Sequence, residues 1–170
     1  LSSRDPGGSW EVIVDAQTGD VIRVRDLRMY HRGKDPQIPS GHKSAINGTG
    51  FIFDPDPLTT AQVTYNTPGF TDGNNGDTPE LNSQRILVTL NEISSSGSTY
   101  SLSGPYVSIT DWDLPNIAPV IVTNPDSFRF LRSQPEFEDV NVYYHIDKSQ
   151  RRLQSLGFTT IQNTSISADP

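Results

Sequence analysis

The chain has 170 residues, 20 acidic against 13 Lys and Arg side chains, a formal net charge of −7 and no cysteine. That composition excludes disulfides, thiolate nucleophiles and cysteine zinc sites, and it argues against nucleic acid, whose phosphates need clustered cations. There is no apolar run of about 18 residues and no basic amphipathic run, so neither a membrane span nor a membrane surface is expected.

The first legible element is Trp10 to Val24, WEVIVDAQTGDVIRV. Trp10, Val12 and Val14 alternate with Glu11, Ile13 and Asp15, and Ile22 and Val24 alternate with Arg23 and Arg25 on the far side of a Gly19-containing break. This pattern predicts a β-hairpin. Arg28 to Gly50 follows, rich in Gly, Pro and basic residues and poor in core candidates. It reads as an exposed linker, with Arg28, Arg32, Lys34 and Lys43 marking the stretch where a protease would cut.

From Phe51 the chain turns β again. Short strands are expected in GFIFDPDPL, TTAQVTY, QRILVTLNEI, TYSLSGPYVSITDWDLP, APVIVTN and SFRFLR, with a long polar loop, NTPGFTDGNNGDTPELNS, among them. Regular turn signals between short strands favour an antiparallel, sandwich-like or irregular β domain.

Pro135 opens a different pattern, PEFEDVNVYYHIDKSQRRLQSLGF. Pro suits the first helical turn, acids lie early, cations lie late, and Gly157 stands at the C′ position. One long C-terminal α-helix is predicted. Phe137, Val140 and Tyr144 form one apolar stripe, and Val142, Ile146, Leu153 and Leu156 form a second. A helix apolar on two sides expects neighbours on two sides. Little sequence remains to supply the second, so the chain reads as part of a longer product, as does its start at Leu1 without Met.

The chemistry-bearing patterns are sparse. H-E-x-x-H is absent, since His31, His42 and His145 precede Arg, Lys and Ile. His145 and Asp147 are two residues apart and point to different helix faces, so His145 is expected to bond to or pack on the β domain. Asp72, Asn74, Asp77 and Glu80 offer oxygens to Ca²⁺ but miss the EF-hand spacing; a plain Asn/Gly/Asp turn is the competing reading. The acids of DPDP (Asp54, Asp56) and DWD (Asp111, Asp113) read as polar loops rather than a glycosidase pair. No nucleophile elbow or phosphate loop is present. Asn47 and Asn163 head glycosylation sequons. No catalytic residue and no zinc ligand is assigned to this chain.

Two segments carry a family resemblance. WEVIVDAQTGDVIRVRDL resembles the closing hairpin of the PepSY-like propeptide of thermolysin- and fungalysin-type zinc metallopeptidases. GTGFIFDPDPLTT through FEDVNVYYHIDKSQRRLQSLGF is similar to the start of the catalytic region in secreted bacterial relatives of those enzymes. The resemblance implies four parts: residues 1–27 as propeptide hairpin, 28–50 as linker, 51–134 as β lobe, and 135–170 as helix and tail. It implies a zymogen of a zinc-dependent peptide-bond hydrolase, secreted, with a protein or peptide substrate. The zinc ligands would lie beyond Pro170, so this piece would be inactive alone and would partner the rest of the catalytic domain. A stand-alone secreted inhibitory or binding module is the alternative, and a carbohydrate-binding β-sandwich using Trp10 and Trp112 is a third.

Overall fold

The computed structural model describes residues 10–14, 18, 21–26, 44–71 and 76–170. The chain divides into two compact units, Leu1–Gly41 and His42–Pro170. In the first, β1 (Trp10–Val14) pairs antiparallel with β2 (Val21–Asp26), Trp10 opposite Asp26 and Val12 opposite Val24, with a register shift after Ile13. The hairpin expected from alternation is therefore present. The side chains of these strands, Trp10 included, lie outside the described residues, as do Arg28, Arg32, Lys34 and Lys43 of the basic segment.

The larger unit is mainly β with one long helix. Its principal sheet is antiparallel, in the order β3 (Ser44–Ile52), β4 (Ile86–Ser96), β5 (Thr99–Ser101), β7 (Ile121–Val122). A separate pair, β6 (Val107–Ile109) and β8 (Ile166–Ala168), is parallel. The long helix α3 spans Pro135–Ser155. Its C-terminus closes as expected. Gly157 takes φ +92°, its N–H bonds the Gln154 carbonyl, and the Phe158 N–H bonds that of Leu153. This is the paired closure of a glycine-capped helix.

Ser44–Gly50 corrects the expected linker boundary: the segment forms most of β3 rather than a loop. Its two glycines hid it from apolar alternation, and they are there because neighbours come close. A Cβ at Gly48 would stand 2.5 Å from the Pro125 carbonyl oxygen, and one at Gly50 would stand 2.8 Å from a Val140 methyl. The outer edge of β3 is covered by Pro125 to Phe128, and SFRFLR, expected to be a strand, makes there only the single bridge of Phe128 to Gly50. Thr49 and Phe51 donate to the carbonyls of Pro125 and Phe128, each at 2.9 Å. Edge amides satisfied in this way do not template further pairing.

TTAQVTY is also not a strand. Pro57–Ala61 forms the short helix α1, because Asp56 accepts from the Leu58 and Thr59 N–H groups, both at 2.9 Å, ahead of Pro57. Local capping outweighs the β preference of two threonines. Within the expected polar loop, Pro79–Ser83 forms the short helix α2, capped by Thr78.

The core gathers Ile52, Leu90, Ile93 and Val107 from the strands and Leu102 from just beyond β5, with Val140 and Tyr143 from α3. The inward stripe thus uses Tyr143, not Tyr144, at the third position. Helical spacing permits either, and Tyr143 alone reaches a sheet acceptor, the Asn91 carbonyl at 2.6 Å. The second stripe is not bare: Val142 and Ile146 are half-buried against the core. The tail also returns along α3, where Gln150 donates to the Ile161 carbonyl at 2.8 Å, and β8 reaches β6. Leu156 remains 54% exposed.

Candidate functional site

The polar chemistry of the larger unit concentrates on α3 and the β4 bulge beside it. Ile46 pairs with Ile93 and Gly48 with Leu90, so the single residue Asn47 opposes both Asn91 and Glu92. Such a bulge bends its strand and re-aims side chains. Glu92 adopts φ +51°, and its N–H bonds Asn47 Oδ1 at 3.0 Å. Its carboxylate meets Arg151 Nη2 at 2.6 Å, while Arg151 Nε donates to Asp147 Oδ2 at 2.7 Å. The Arg151 guanidinium lies over the Tyr106 ring. The bond from Asp147 first, and that from Glu92 after it, hold Arg151 above its usual range. Asp147 is 3% exposed, and its Oδ1 is buried without a hydrogen-bond partner among the described residues.

Nearby, His145 Nε2 lies 2.8 Å from the Phe53 carbonyl and donates to it. His145 and Asp147 thus serve different faces, as their spacing requires. Lys148 pairs with Asp54, whose bond holds the Asp54 carboxyl below its usual range and raises Lys148. Asp56 is lowered by Thr59, which bonds it through both side chain and backbone in the α1 cap. The DPDP acids are therefore a salt-bridge partner and a helix cap. Burial raises the Tyr143 hydroxyl well above its ordinary value, with the Asp147 charge adding to it.

The DWD acids also shape a loop. Asp169 accepts from the Trp112 and Asp113 N–H groups at 2.8 and 2.7 Å, Asp113 caps Leu114, and Asp111 accepts from Asn116. At the far end, Asp139, 8% exposed, accepts from the Val120 N–H at 2.8 Å. Burial pushes the Asp139 carboxyl up to about 6, with Glu136, Glu138 and Asp169 adding to the displacement and the Val120 bond opposing it.

Of the candidate calcium ligands, Asp72 and Asn74 lie outside the described residues. Asp77 accepts from the Ser133 hydroxyl, and the Glu80 side chain lies where a Cβ at Gly69 would stand. Among the described residues no three His, Cys, Asp or Glu side chains converge to hold a metal, and no helix is long and apolar enough to cross a membrane. Phe53 and Arg132 border two shallow hollows of about 270 and 320 Å³, one walled by Leu58, Tyr65 and Phe70, the other by Phe137 and Val142.

Asp147 and Arg151 of α3 are occupied in holding the helix to β4. The Asp147–Arg151 pair was open to detection from its i, i+4 spacing. Asn47 and Glu92 were not, because a bulge is a property of two paired strands. The described part of the chain defines a class by architecture: a mainly β domain closed by one long C-terminal helix. No family model, curated protein or solved structure matches the chain.

Proposed function

We propose that this chain is the non-catalytic N-terminal portion of a secreted bacterial zinc metalloendopeptidase precursor, joining the end of a PepSY-like propeptide to the β lobe and long helix of the catalytic region. The observation that supports this reading is the division of the chain between Gly41 and His42. It falls inside the basic segment Arg28–Lys43, between a two-stranded hairpin and a larger helix-closed β unit. A zymogen read from propeptide to protease has that order of parts, with an exposed basic segment where activation would cut.

In this reading the described residues supply scaffold. The α3 network of Asp147, Arg151 and Glu92 fixes the helix against β4, so that whatever follows in the chain is built on a rigid support. Zinc and the residues that activate water for peptide-bond hydrolysis would be provided downstream of Pro170. The test is the coding sequence beyond Pro170. An in-frame H-E-x-x-H is expected there; a frame that stops at Pro170, or continues without that motif, overturns the proposal.

A further inference from the structure

The second half of α3 carries an outward face of which the interactions above use only His145, on the Phe53 carbonyl, and Lys148, on Asp54. A concavity of about 490 Å³ runs along it, lined by His145, Lys148, Ser149, Arg152 and Leu153. In a chain of net charge −7, this face places two cations, an imidazole and a hydroxyl side by side. Lys148 is paired with Asp54 while its side chain stays 50% exposed, and Arg152 is exposed and makes no side-chain hydrogen bond or ion pair with the described residues. Positions 149, 152, 153 and 156 fall on one side of the helix, so the cations grade into Leu153 and the exposed Leu156.

We propose that this face docks an acidic segment of a partner protein, its carboxylates on Lys148 and Arg152 and an adjoining apolar side chain on Leu153 and Leu156. The argument is charge complementarity with an apolar neighbour. A free anion would use the cations alone, whereas a peptide would use both halves of the surface. The inference does not depend on the zymogen reading, because it concerns only residues of this helix.

The experiment is fluorescence anisotropy on the full chain with a labelled peptide of glutamate pairs separated by leucine. Arg152→Gln is expected to weaken binding by roughly threefold, and Lys148→Gln combined with Arg152→Gln by about tenfold, the scale of exposed ion pairs. Arg152→Lys should retain most of the affinity. Arg129→Gln removes the same charge from another exposed position and should leave binding unchanged. Peptides with glutamine for glutamate, or serine for leucine, should each bind more weakly. Equal loss in Arg129→Gln, equal binding of the glutamine peptide, or displacement by inorganic phosphate as readily as by unlabelled peptide overturns the proposal.

Discussion

Asp139 shows how a single residue can work against the fold that holds it. Its carboxyl lies at about 6 rather than the ordinary 3.8, because burial disfavours the charged form more than the Val120 bond favours it. The native state therefore binds the proton more tightly than the unfolded chain does. The stabilisation linked to that proton is fully present below about pH 3.8 and is lost as pH rises through about 6. The whole displacement corresponds to about 3 kcal/mol, and the remaining solvent access reduces it. Asp139→Asn keeps an acceptor for Val120 and removes the charge. Thermal melts should show it roughly 1–2 kcal/mol more stable than the parent at pH 7.5, with the gain vanishing near pH 4. A variant equally or less stable at both pH values would show that the charged bond to Val120 outweighs desolvation. Nothing in FEDVNV marks this residue, since an acid in the first turns of a helix ordinarily faces water.

At the scale of elements, the union of α3 with β4 rests on a close approach. Tyr143 reaches the Asn91 carbonyl at the bulge, and a Cβ added at Gly104 would lie 2.3 Å from the Tyr143 hydroxyl oxygen. Gly104→Ala should destabilise by about 2 kcal/mol or more through that overlap. Tyr143→Phe should cost about 1 kcal/mol for the lost bond to a partly buried acceptor. The two should not add, because removing the hydroxyl relieves most of the clash; urea titration of the double variant should show less destabilisation than the sum. Additive losses would place the Gly104 effect in its own backbone instead. The sequence marks α3 well, through Pro135, its charge order and Gly157. It marks β3 poorly, because glycines chosen for close packing erase alternation. It misreads Pro57–Ala61, where one Asp cap and one Pro overrule the threonines.

For the whole molecule, the core from Ile52 to Tyr143 is, among the described residues, drawn from the larger unit. Residues 42–170 alone should therefore unfold cooperatively, with a single transition in circular dichroism that coincides with the loss of aromatic signal. A broad transition, or aggregation in the place of a folded state, would show that this unit needs the rest of the chain.

By itself the sequence determined the β-rich class, the first hairpin, the long helix with its glycine closure, and the separate faces of His145 and Asp147. Each of these depends on residues near one another in the chain, where period, caps and spacing act directly. Only the tertiary structure decided that Ser44–Gly50 is a strand, that Tyr143 rather than Tyr144 turns inward, and that Asp139 is buried. It also decided that Asn47, Glu92, Arg151 and Asp147 meet at one bulge. These outcomes depend on which distant segment comes to lie opposite, through close approach, burial and strand register, and no local pattern in the chain encodes that.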